Sequence, residues 1–213
     1  MTPHAPRIPD ELPGVDVALE HEAEWSEVAV DGDFSGQAAE HMEIAQCRIA
    51  GARFTAVELT QVRITDAVFD SCDLSGARLD QARLTRVELR DCRLSGMLLG
   101  AAALTDVRIV GCKFDGGHLR QSKGERVVFE STVLAGADLG GASLPDAHFF
   151  DCDLTGADFS GARVNGARFH GSVLEGLKGA EHLKGAVVDS AQVMALGMRL
   201  FAALGISVDD ERE

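Results

Sequence analysis

The chain has 213 residues, of which 46% are hydrophobic and only 5% aromatic, with no tyrosine, one tryptophan and a formal net charge of −14. That length suits one domain, its acidity argues against direct nucleic-acid binding, and scarce aromatics argue against a globular core of mixed side-chain shapes. No apolar run reaches the ~18 residues that a membrane span needs, and the start, MTPHAPRIPDELPG, lacks the basic and apolar regions of a signal peptide, so a cytoplasmic location is expected.

Residues 1–31 are proline-rich, then acidic, and carry a net −7. Trp25, with Val28 and Val30, is expected to lay a first irregular strand over one end of whatever follows. The outermost residues, Met1 to about Pro13, are expected to be mobile.

From Phe34 to Leu174 a period of five runs without insertion. Of its 29 central positions, 27 are Leu, Ile, Phe or Val; Ala39 and Gly124 are the exceptions. The residue two before each centre is small in nearly every unit (Ala52, Cys72, Ala77 and on to Ser172), and polar residues fill the other three positions. Neither the helical period of 3.6 nor the strand period of 2 yields a five, so the pattern marks a repeat architecture. A square coil satisfies it. Each unit forms one short side with the centre and the small residue pointing inward, four sides close a coil, and coils stack at about 4.8 Å through backbone hydrogen bonds. Glycine recurs at the last position of the unit (Gly36, Gly76, Gly96, Gly136, Gly156, Gly176), where a corner favours unusual φ.

The units ADLGG, CDLTG, ADFSG and CDLSG resemble the A-(D/N)-L-X-X consensus of the pentapeptide repeat proteins, and the match extends over roughly residues 32–176. The resemblance implies an all-β solenoid, a right-handed quadrilateral (pentapeptide repeat) β-helix, followed here by a C-terminal α-helix. The chain then divides into an acidic N-terminal segment and cap (1–31), about seven coils of repeats (32–176), a final irregular coil with the helix (177–205) and an acidic tail (206–213).

Within the repeats, Cys47, Cys72, Cys92, Cys112 and Cys152 all fall on inward positions. Stacked neighbours lie within reach of a disulfide; the same slot holds Ala or Val elsewhere, and the reading adopted is buried thiols acting as small hydrophobes. Gly124 leaves either a void, a kink or a local repacking. Thr65, Thr85 and Thr105 form a short ladder, flanked by arginines and ill-suited to an ice-binding face. The histidines, including the outward His148 and His170, show no metal-site spacing. No nucleotide loop or catalytic triad appears, so no enzyme, metal or cofactor is expected.

After Leu174 the frame slips, and AQVMALGMRLFAALG reads as a helix with Asp189 or Ser190 as N-cap and Gly205 as stop. Only Gln192 and Arg199 are strongly polar in it, so the helix should be covered twice. One side plugs the column; the other, with Met194, Met198, Phe201 and Leu204, meets a partner. A second copy is the simplest, and the resemblance to the MfpA and Qnr branch of the family implies the same tail-to-tail homodimer.

Residues 32–131 carry 14 acids and 13 bases, whereas residues 132–176 hold Asp138, Asp146, Asp151, Asp153, Asp158 and Glu175 against two arginines. Those 45 residues span about 11 Å, where duplex DNA would place roughly six or seven charges. The side with centres Ile44 to Val164 is slightly positive. The family includes proteins that bind DNA gyrase by imitating DNA, so the resemblance implies a DNA-mimicking partner of gyrase or another type II topoisomerase, with the six acids as electrostatic contacts. The alternative is a scaffold for an unrelated protein, with the Asp of the repeats serving only its turns.

Overall fold

The computed structural model describes residues 2–206, and in it the five-residue units wind into a quadrilateral β-solenoid closed by one C-terminal helix. Successive coils pair in parallel: Ile64 stacks on Leu84 and Leu84 on Leu104, while Phe69 stacks on Leu89 and Leu89 on Ile109. The four sides are named here after one member each: Leu74, Leu79, Leu84 and Leu89. In the middle coils the last two sides merge into single bent strands, Arg63–Asp70, Arg83–Arg90, Ala103–Val110 and Lys123–Glu130. The Leu74 and Leu79 sides are joined mainly by isolated bridges and tight turns, such as Ala77 N–H donating to the Leu74 carbonyl.

One backbone feature makes the coil square. Every fifth residue from Gly36 to Gly176, two after the centre, has φ between +49° and +78°. The glycines visible in the sequence are a subset of these corners. Asp66, Arg86, Ala101, Asp106 and Arg126 hold the same left-handed conformation without glycine's freedom.

The interior is the column of centres and small residues. Phe129, Phe149 and Phe169 stack coil upon coil with centroids 5.0 and 4.9 Å apart and rings 2° and 3° from parallel. Each such pair contributes ~0.5–1.5 kcal/mol beyond its buried area, which explains why the core repeats one aromatic shape.

Gly124 makes neither a void nor a break. It pairs with Leu104 inside an unbroken strand, and a Cβ built on it would lie 2.5 Å from Leu144 Cδ2 and 2.7 Å from Val127 Cγ2. Leu144 of the next coil and Val127 already fill the space: the repacking alternative holds.

Both ends continue the coil with one residue fewer. Trp25 pairs with Ile44 and Val30 with Ile49 at the start, and Arg168 pairs with Val187 at the finish. A one-residue deletion hides these coils from a search in steps of five. Trp25 is thereby a buried centre, its ring centroid 5.2 Å from that of Phe34 and its plane tilted by 47°.

The N-terminal segment, expected to be mobile, is instead bonded to the coils at His4 and Arg7; Met1 lies outside the described residues. The segment lies along the outer corner of the coils. The His4 backbone N–H donates to Asp106 Oδ1 at 2.9 Å, the Arg7 N–H to Asp66 Oδ1 at 2.8 Å, and Gln46 Nε2 donates to the Arg7 carbonyl at 3.4 Å. The reason is commensurate spacing. Pro3, Pro6 and Pro9 recur every third residue and favour an extended threefold chain that advances ~9.3 Å per three residues. Two coils advance ~9.6 Å. Residues three apart in the segment therefore meet corner side chains two coils apart.

Candidate functional site

In the middle coils acids and bases are interleaved so that many find a partner one coil away. Arg63 pairs with Glu43 at 2.8 Å, Arg86 with Asp66 at 2.6 Å, Arg126 with Asp106 at 2.6 Å, and Arg108 bridges Glu88 and Glu130 at 3.5 and 2.6 Å. Asp66 and Asp106 are buried by the N-terminal segment. The Arg86 guanidinium hydrogen-bonded to Asp66, and Arg126 to Asp106, hold both carboxyls below the usual carboxylate range, and the N–H donors of Arg7 and His4 add to this.

The terminal coils differ. Asp138 pairs with Arg120 at 2.8 Å, while Asp146, Asp151, Asp153, Asp158 and Glu175 make no ion pair among the described residues. Asp138 and Asp158 stack directly on the Leu79 side. Asp153 and Glu175 belong to the neighbouring Leu74 side, Asp151 stands at the left-handed corner where that side begins, and Asp146 at the corner between the Leu84 and Leu89 sides. The six acids ring the terminal coils rather than gathering on one side. Three also serve their own turns with one oxygen: Asp138 accepts from Gly140 N–H at 2.8 Å, Asp153 from Thr155 at 2.9 Å and Asp158 from Ser160 at 2.8 Å. The second oxygen of Asp153 and Asp158 remains free to act at long range.

The helix α1 (Val193–Ala203) follows a 3-10 turn, Ser190–Gln192. Asp189 caps that turn, accepting from Ala191 N–H at 3.0 Å while its own N–H donates to Gln192 Oε1 at 3.0 Å. Gly205, at φ +68°, ends the helix. Leu196 is buried and Leu200 packs partly on the column, whereas Met194, Met198, Phe201 and Leu204 are 76%, 59%, 42% and 67% exposed. The four residues expected to meet a partner thus share one uncovered apolar face, which rules out a helix folded fully against its own coil.

Two features escaped the sequence reading. One is the N-terminal strap, signalled by the three-residue proline spacing. The other concerns the cysteines. All five are free and buried, but the column Cys72, Cys92, Cys112, Thr132, Cys152, Ser172, Gln192 is a hydrogen-bonding rail rather than a row of hydrophobes. Cys72, Cys92 and Cys112 Sγ each stand between two carbonyls, those of Ile49, Phe69 and Leu89 at 3.5 Å and those of Asp70, Arg90 and Val110 at 3.4, 3.2 and 3.3 Å, while Thr132 donates to Ile109 and Ser172 to Phe149. The buried Gln192 Nε2 ends the rail, donating to Phe169 and, at 2.7 Å, to Ser172. Weak S–H donors and hydroxyls share that corner, where the middle coils lack the tight-turn bond found at the Leu74 and Leu79 sides. Burial pushes the Cys152 thiol up to about 11, which keeps it unreactive at neutral pH.

Among the described residues no group of three or more His, Cys, Asp or Glu is placed to hold a metal ion. His148 and His170 flank the outward ring of Phe150, at 4.8 and 6.2 Å. No described helix is long and apolar enough to cross a membrane.

A column of stacked five-residue sides, with one left-handed corner per unit, defines a β-solenoid of the quadrilateral kind. The chain belongs to the pentapeptide repeat family: the model of the pentapeptide repeats matches in eight copies over residues 47–86, 82–121 and 132–171. No curated protein matches the sequence. Among solved structures, HetL, a pentapeptide repeat protein involved in heterocyst differentiation regulation in the cyanobacterium Nostoc, is 21% identical over 78% of this chain and 85% of its own, with a TM-score of 0.48. Full-length QnrB1, a plasmid-mediated fluoroquinolone resistance protein, is 14% identical over 84% of this chain and 99% of its own, with a TM-score of 0.45. At these levels neither likeness says more than the family match already does.

Proposed function

We propose that the chain is a non-enzymatic protein-binding β-helix that dimerises through the exposed face of α1 and engages DNA gyrase or a related type II topoisomerase in place of duplex DNA. Competition at the DNA-binding surface would modulate the action of quinolones or topoisomerase toxins. The observation that carries this reading is the adjacency of two features at one end of the rod: five acids that make no ion pair among the described residues and a helix face with four exposed apolar side chains. Pairing two helices would bring two acidic ends into one central patch, and a basic dimeric partner would be attracted to it over long range. The near-neutral middle coils, many of whose charges pair with one another, confine the mimicry to that end.

Purified protein added to gyrase should inhibit supercoiling at micromolar concentrations, and the inhibition should fade as salt is raised. No effect at any salt would replace this reading with its alternative, a scaffold for an unrelated protein.

A further inference from the structure

A groove of about 920 Å³ runs along the corner between the Leu79 and Leu84 sides. One wall carries Gln61, Gln81 and Gln121; the other carries Arg63, Arg83 and Lys123, and small residues open a bay at Ala101 and Ala103. Arg63 is engaged by Glu43. Arg83 and Lys123 make no ion pair among the described residues. Coil stacking places them in a wider register: Arg83 lies beside Ala103, Ala103 beside Lys123, Lys123 beside Ser143, and Ser143 beside Arg163. Cations thus stand on every second coil, about 9.6 Å apart, with a small residue on each coil between. On a chain of net charge −14, an unpaired cationic column beside amide side chains is a local inversion that the acidic end does not explain.

The molecule supplies the template for what such a corner holds. At the next corner its own N-terminal segment runs along the rod, and side chains two coils apart, Asp66 and Asp106, take backbone N–H groups three residues apart. Gln46, in the same corner column, donates to a carbonyl of that segment. Gln61, Gln81 and Gln121 occupy the equivalent corner positions of the groove, where an amide can both donate to and accept from a passing backbone. The stretch of that segment that is bonded to its corner, His4 to Arg7, carries no acid for the cationic column.

We propose that the groove docks an extended, proline-containing acidic segment of another protein, with carboxylates three residues apart meeting Arg83 and Lys123 within the groove and Arg163 beyond its end. Its threefold chain advances ~9.3 Å per period and stays in step with every second coil over the three cations. Glu22 and Glu43 at the far end of the groove confine the acidic contacts to the stretch from Arg83 onward, and the row of amide side chains, which a peptide backbone can satisfy, favours a peptide over a polyphosphate. It is independent of the gyrase reading, since it uses neither the terminal acids nor α1.

The test is fluorescence anisotropy at low salt with a labelled Glu-Pro-Pro-Glu-Pro-Pro-Glu peptide. A second peptide carries the same acids separated by three prolines, and a thymidine oligonucleotide serves as the polyphosphate probe. Saturable binding of the first peptide is expected, weaker binding of the second, and a loss of about five- to tenfold in the Arg83→Gln/Lys123→Gln variant, as expected for two exposed charge contacts. Lys113→Gln, on the Leu74 side, should bind as the parent does. All substituted side chains are exposed, so an unchanged thermal melt confirms folding. Equal affinity for the two peptides, an unaffected double variant, no saturable binding at about 1 mM, or tighter oligonucleotide binding that depends on the same cations would each overturn the proposal.

Discussion

Each corner of the coil requires a residue to hold a left-handed backbone, and the cost depends on its side chain. Ala101 sits at φ +52°, is exposed, and makes no side-chain hydrogen bond. Ala101→Gly should therefore raise stability by about 0.5–1 kcal/mol, the relief of left-handed strain exceeding glycine's extra unfolded entropy. Urea denaturation would show a higher midpoint at unchanged slope; a lower midpoint would mean the corner is not strained. Asp106 illustrates the opposite case, a corner residue held by partners. Its carboxyl is bound by Arg126 and by the His4 backbone, and its folded pKa is depressed. A depressed pKa contributes stability above the unfolded value near 4, and that contribution is lost as pH falls through and below it. Asp106→Asn should cost about 1–3 kcal/mol at pH 7 and flatten the acid limb of the stability profile. Melting the parent and variant between pH 7 and pH 2 should show the gap closing toward acid. A gap independent of pH would exclude the ion pair as its source.

At the scale of elements, the end of the rod depends on one buried amide. Gln192 belongs at once to the cap of the 3-10 turn and to the hydrogen-bonded rail, where it takes the Phe169 and Ser172 carbonyls. Gln192→Ala would leave the Ser172 carbonyl without a donor and the Phe169 carbonyl with only the Ser172 N–H, at about 1–3 kcal/mol, and would loosen α1 before the coils. Hydrogen exchange should show the helix opening first while amides of the strand Lys123–Glu130 keep their protection. Equal loss of protection throughout would mean that helix and coils unfold as one. The helix itself was legible: Asp189 and Gly205 bound it as their chemistry suggests, and the positions of Met194, Met198, Phe201 and Leu204 anticipate the exposed face. Gln192 was not, because a lone polar residue in an apolar helix gives no sign of which carbonyls it will meet.

For the whole molecule, the proposed assembly turns on the uncovered face of α1. Phe201→Glu places a charge where the dimer would exclude water, and sedimentation should show a monomer with an unchanged strand spectrum. A retained dimer would assign the contact elsewhere on the rod. The acids are a subtler matter at this scale. Their positions modulo four units already separate Asp138 and Asp158 from Asp146 and Asp151, so the ring they form around the terminal coils is contained in the repeat. Their lack of ion pairs is a property of the stack, since it depends on which side chain the neighbouring coil offers.

The five-residue period alone determined the solenoid, its inside and outside, and the column to which each side chain belongs, because a local rule repeated without insertion propagates through every coil. Only the tertiary structure decided the rest: the shortened coils at each end, Leu144 filling the place of a missing side chain, the cysteines as donors, and His4 and Arg7 strapped to Asp106 and Asp66. These depend on contacts between residues far apart in the chain, or on a single deleted residue, and such events carry no period for a sequence to display.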